Sequence, residues 1–152
     1  MKKYKILILN GPNLGALGKR EPEIYGTQNM DDVVLLGKTL LKDIWDSIEL
    51  FFYQNNSEGK LIDRLEKAKE ENIDGIVINA GAYTHTSLAL ADCLSWIKIP
   101  TVEVHLTNIM AREESIRHKS LIAPHCIGVV AGFGVMSYVL GILALYQYLS
   151  RM

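Results

Sequence analysis

At 152 residues, 49% hydrophobic and 22% charged, the chain has the length and balance of one globular domain able to bury a core, and it is read as a single domain over residues 1–152. With 16 Lys and Arg against 17 Asp and Glu the formal charge is -1, so no global basic field gathers nucleic acid or an anionic membrane, and an anionic ligand has to be met by a local cluster. Cys93 and Cys126 stand in no zinc-binding spacing, which makes them expected core thiols of a protein in the reducing cytosol.

Strands and helices then alternate along the chain. The N-terminal MKKYKILILN reads as a first strand, not a signal peptide, because polar residues interrupt its apolar run too early. Residues 6–9 are almost continuously apolar, as expected of a strand covered on both faces in a parallel sheet. Over residues 30–46, Val33, Leu36, Leu40, Leu41 and Ile44 recur at three-to-four spacing behind Asp31 and Asp32, which predicts the first crossover helix. A second strand is predicted at 48–53, a second helix at 58–71 with Leu61, Ile62, Leu65 and Ala68 on one face, and a third strand at 75–79. A third helix at 87–96, strands at 101–105 and 127–130 and a buried terminal helix at 135–149 complete the pattern. That last apolar stretch is shorter than the ~20 residues a bilayer crossing needs. The expectation is a flavodoxin-like, doubly wound α/β fold: a five-stranded parallel sheet with helices on both faces.

In such sheets the ligand sits beyond the carboxyl ends of the strands, where strand order reverses. The loops there carry Asn13, Arg20 and Tyr25 after the first strand, Asn79 and His85 after the third, and Glu103, His105, Arg112 and Arg117 at and after the fourth. A nearby arginine favours a tyrosine phenolate, so Tyr25 can act as a general base. A histidine can protonate a leaving hydroxyl, and Glu103, two residues before His105 on the same strand face, is placed to orient or charge it. Asn13 and Asn79 offer neutral hydrogen-bonding groups to an enolate or hydroxyl oxygen. Each has a plainer reading: Asn13 beside Pro12 as a turn residue, Tyr25 as a surface aromatic, the histidines as structural or solvated groups, and the 112–117 stretch as a solvated helical turn. The argument lies in their coincidence at strand ends.

The strings LNGPNLGALGKREPEIYG, NAGAYTHTS and EVHLTNIMAREE, in this order over nearly the whole chain, resemble the type II 3-dehydroquinase family. The resemblance implies dehydration of 3-dehydroquinate to 3-dehydroshikimate through an enolate, in the shikimate pathway or in quinate catabolism, by a cytoplasmic enzyme needing no metal or cofactor. It also implies a homo-dodecamer built from four trimers. Carried over by position, Tyr25 is the base at C2, with Arg20 and Arg112 favouring its phenolate. Asn13 holds the water or enolate oxygen, and His105 with Glu103 assists loss of the C1 hydroxyl. Asn79 and the backbone amides of Leu106 and Thr107 take the carboxylate, His85 and Arg117 meet the ring hydroxyls, and Asp92 serves a neighbouring subunit's site. Residues 18–27, rich in Gly, Pro and charge, are expected to form a lid. One departure stands out: the family continues Phe-Arg after Arg112-Glu113-Glu114, whereas this chain has Ser115-Ile116-Arg117, a one-residue insertion that turns Arg117 by about 100° if the segment is α-helical.

The competing reading is a non-catalytic flavodoxin-like ligand-binding domain. Against it, no Ser/Thr/Gly-rich phosphate loop follows the first strand, and no acidic pair clusters there for magnesium. A dinucleotide fold lacks its GxGxxG, since the GFG at residue 132 follows the last strand.

Overall fold

A computed structural model describes residues 2–17, 19 and 29–152. Its core is one sheet of five parallel strands, β1 (Tyr4–Asn10), β2 (Ile48–Gln54), β3 (Gly75–Asn79), β4 (Thr101–His105) and β5 (Gly128–Ala131), in the order β2-β1-β3-β4-β5. The connecting helices are α1 (Met30–Leu41), α2 (Glu58–Glu70), α3 (Leu88–Ile97) and α4 (Met136–Ser150). This is the expected flavodoxin-like architecture, with the order reversing between β1 and β3.

The continuous apolar run of β1 is explained by its place in the middle of the sheet. Leu7 and Leu9 join Ile76 and Ile78 under α2 and α3, while Ile6 and Ile8 join Val77, Val102 and Val104 under α1 and α4. All four β1 residues are fully buried, one pair on each face. No helix among the described residues is long and apolar enough to cross a membrane.

Local signals set the helix starts. Asn29 and Asp32 form a reciprocal capping box on α1, and the Ser57 and Ser87 hydroxyls accept from backbone amides at the starts of α2 and α3. The end of the first helix departs from the expectation of residue 46. It stops at Leu41, Lys42 turns at φ 49°, and a 3-10 segment Lys42–Ser47 follows. The turn folds Trp45 back onto Gly37, where an added Cβ would lie 2.3 Å from the indole ring. Packing of this ring overrode a periodicity that still placed Ile44 in phase. The other predicted elements shift by only a residue or two.

Candidate active site

Parallel pairing brings the sheet's carboxyl edge together one residue at a time. Asn10 at the end of β1 is the register partner of Asn79 at the end of β3, and β4 ends beside them in His105. The loops leaving β1 and β3 run close together: Gly11 N–H donates to the Asn79 carbonyl at 2.8 Å, and a Cβ on Gly11 would stand 2.4 Å from the Ala80 carbonyl oxygen. Only glycine fits there. Asn13 then takes a left-handed conformation at φ 68°, its N–H donating to Asn56 Oδ1 at 3.1 Å. The turn-residue reading and the rim position of Asn13 therefore hold together, because the turn is what carries its side chain to the opening.

Beyond these strand ends lies a cavity of about 130 Å³ lined by Pro12, Asn13, Leu14, Asn79, Gly81, Ala82, His85, His105, Leu106, Thr107, Ile109, Arg112 and Arg117. Eight of the expected site residues thus meet in one place. Its two arginines give the cavity the local positive charge that a chain of net charge -1 needs where it meets an anion. Among the described residues no group of three or more His, Cys, Asp or Glu is arranged to hold a metal ion.

On the β4 side, Glu103 and His105 project from the same strand face, as their spacing implies. His105 is 5% exposed and Glu103 is fully buried, and His105 Nε2 lies 2.5 Å from Glu103 Oε2. A buried carboxylate without a partner is prohibitively costly, so imidazole and carboxylate stabilise each other and the ring is fixed in orientation. With Nε2–H donating to Glu103, Nδ1 is left for proton exchange. The His85 ring stacks on that of His105 at 6.4 Å between centroids, and its Nδ1 lies 2.7 Å from the Lys119 carbonyl.

Below β1 and β3 the polar groups are neutral. Asn79 Nδ2 donates to the Tyr138 hydroxyl at 3.0 Å, the hydroxyl donates to Asn10 Oδ1 at 2.7 Å, and Asn10 Nδ2 contacts Met30 Sδ at 3.4 Å. Gly81 N–H donates to Asn79 Oδ1 at 3.2 Å. The Asn79 amide is therefore held at both ends. Tyr138 is fully buried, and burial pushes its phenol well above the ordinary 10.0, an effect partly offset by the hydrogen bond from Asn79.

Several expectations fall elsewhere. Arg20 and Tyr25, with most of the expected lid at 18–27, lie outside the described residues. Asp92 is exposed on α3 and away from its own chain's cavity. The 112–117 stretch is not an α-helical turn: 3-10 segments at Ile109–Ala111 and Ser115–His118 replace it, so the 100° argument does not apply, and Arg117 reaches the cavity wall. Its guanidinium also approaches Glu114 at 3.5 Å in an exposed pair of little energetic weight. Cys93 is a core thiol, whereas Cys126 is only half-buried. Burial, with a smaller contribution from Glu103, still pushes the Cys126 thiol up to about 12.

Asn10, which beside Gly11 could be read as a turn residue only, is the last residue of β1, and Tyr138, Ser120 and His118, whose Nε2 meets the Arg112 carbonyl at 2.5 Å, carried no functional reading from sequence. Only Tyr138 gave a usable signal, because a phenol within an apolar helix needs a partner for its hydroxyl.

Fold and site together define a flavodoxin-like α/β protein with a buried carboxylate–imidazole pair opening on an anion-receptive cavity. A family model described as dehydroquinase class II matches residues 4–146. A 3-dehydroquinate dehydratase of Gloeothece citriformis is 52% identical over 152 residues, covering 100% of this chain and 97% of that protein. One from Caldicellulosiruptor saccharolyticus is 48% identical over 96% of this chain and 99% of its own. The crystal structure of a type II dehydroquinase from Butyrivibrio crossotus superposes with a TM-score of 0.85 at 42% identity, covering 94% of this chain and 97% of that one. The chain belongs to the class II dehydroquinase family.

Proposed function

We propose that this chain is a hydro-lyase, a type II 3-dehydroquinate dehydratase, and that it works by proton transfers between its own side chains and the substrate. The Tyr25 phenolate, favoured by Arg20 and Arg112, takes the C2 proton, and the electron pair moves onto the C3 carbonyl oxygen as an enolate held by Asn13, directly or through water. As the enolate collapses to form the C1–C2 double bond, the C1 hydroxyl leaves with a proton from His105 as water. The product is 3-dehydroshikimate. Both proton transfers are assigned to side chains, so the scheme calls for no metal or cofactor.

Asn79 and the amides of Leu106 and Thr107 receive the carboxylate, while His85 and Arg117 meet the ring hydroxyls. The proposal extends to a single catalytic unit over the whole chain, acting in the cytoplasm. It also includes a dodecamer of four trimers, in which the exposed Asp92 completes a neighbour's site. Free thiols at Cys93 and Cys126 fit a reducing compartment.

The observation that carries the mechanism is the buried Glu103–His105 pair facing a cavity that also holds Asn79, Arg112 and Arg117. The test follows absorbance of the conjugated enone carboxylate when purified protein meets 3-dehydroquinate, with and without borohydride. Turnover that survives borohydride supports imine-free chemistry. Loss of turnover in borohydride would overturn it.

A further inference from the structure

Glu103 poses a problem that His105 solves only by half. The carboxylate is fully buried, and each of its oxygens needs a donor there. Oε2 has His105; Oε1 accepts from the Ser120 hydroxyl at 2.7 Å. Ser120 Oγ itself accepts from Ala123 N–H at 3.0 Å, so the hydroxyl's lone pair is occupied from one side and its single proton is aimed at the carboxylate. Ser120 is not among the residues that line the cavity.

Its neighbours are engaged with the same wall. The Lys119 carbonyl faces His85 Nδ1 at 2.7 Å, and Leu121 N–H donates to the Thr84 carbonyl at 2.9 Å. One three-residue segment thus holds His85 directly and His105 through Glu103. Glu103 is faced by His105 on its own strand, and its charge contributes to raising the Cys126 thiol in the segment before β5. His85 stacks on His105, and Arg112 and Arg117 line the same cavity.

We propose that Ser120 is a positioning residue of the dehydration reaction, acting through Glu103 to keep His105 oriented and supplied with a charged partner. This rests on the dehydratase reading and on the acid role of His105. Without the hydroxyl, one oxygen of a buried carboxylate loses its donor, and the charged partner that holds His105 is less well supported.

Steady-state kinetics with 3-dehydroquinate across pH test this on the parent, Ser120→Ala and Ser120→Thr. For Ser120→Ala, kcat is expected to fall roughly tenfold or more, the size typical of a charged acceptor losing one donor, while KM stays within about twofold. The acidic limb of its kcat profile moves to higher pH, and Ser120→Thr, which keeps the hydroxyl, restores both. An alanine variant with the parent's kcat and profile overturns the proposal. So does one whose kcat falls with the profile unmoved, because a merely structural hydroxyl acts that way. If the alanine variant does not fold, Ser120→Cys carries the same test with a weaker donor of similar size. A parent without turnover would overturn the dehydratase reading itself, an outcome distinct from failure of the serine alone.

Discussion

Two largely buried chains of hydrogen bonds support the cavity, one at the ends of β1 and β3 and the other at β4. The first, Asn79–Tyr138–Asn10–Met30, is neutral throughout and links residues whose job is to hold an amide in place. The second, Ser120–Glu103–His105, encloses a carboxylate and ends in a group able to give up a proton. Both are buried except at their half-buried ends, Met30 and Ser120, and in the proposed mechanism they divide the work. In the proposed mechanism the neutral chain positions the substrate through Asn79, and none of its groups changes charge near neutrality. The charged chain carries the proposed acid, His105, so on that mechanism its effects show in rate and pH dependence.

The sharpest break of this division is to remove the proton donor. His105→Ala is expected to lower kcat by about 10²–10⁴, the range for general acid–base groups, in the same dehydration assay. Tyr25→Phe provides a reference of comparable size: it removes the proposed base and little contact area, so equilibrium binding of a substrate analogue is expected to survive.

Glu103→Gln keeps the size of the side chain but removes its charge, and a fall in kcat of roughly 10- to 100-fold is expected, because a buried charged hydrogen bond is worth about 1.5–3 kcal/mol. Its KM changes little. Turnover equal to the parent's would remove Glu103 from the mechanism.

Tyr138→Phe probes the neutral chain. It strands Asn79 Nδ2 and Asn10 Oδ1, and a loss of about 1–3 kcal/mol in stability is expected on urea denaturation. Kinetically, KM rises several-fold with kcat nearly unchanged and no movement of the pH profile. A displaced profile would erase the distinction between the two chains.

The smallest effect is alkaline. Burial raises Cys93 to about 11 and Cys126 to about 12 from the ordinary 9.0, and Tyr138 well above 10.0. On unfolding these groups release protons the folded chain retains, so above about pH 9 the native state binds more protons and stability falls as pH rises. The contribution is fully present below pH 9 and is lost progressively through the folded values of about 11 and 12. The urea midpoint should hold level from pH 7.5 to 8.5 and decline between 9 and 11. Removing the Tyr138 phenol should make that decline shallower.

Much of this molecule was legible residue by residue. Alternating periodicities placed all five strands and four principal helices, because burial of one face or two writes itself into local sequence: Ile6 to Leu9 is apolar throughout since both its faces are covered. The two-residue step from Glu103 to His105 put both side chains on one strand face, and the parallel fold put Asn13, Asn79 and Arg112 at the same edge. The first helix was drawn five residues too long because nothing local announces that Trp45 packs back on Gly37.

What the amino-acid order determined by itself was the set of strands, their burial and the chemical groups at their ends, all of which depend on neighbours a few positions apart. Tertiary structure alone decided which of those groups are held and by what. Tyr138 reaches Asn10 across 128 positions and Ser120 reaches Glu103 across 17, and hydrogen bonds over such separations exist only once the sheet has closed. Because a buried amide or carboxylate is only as well placed as its partner, local sequence named the candidate groups while the folded chain supplied their orientation.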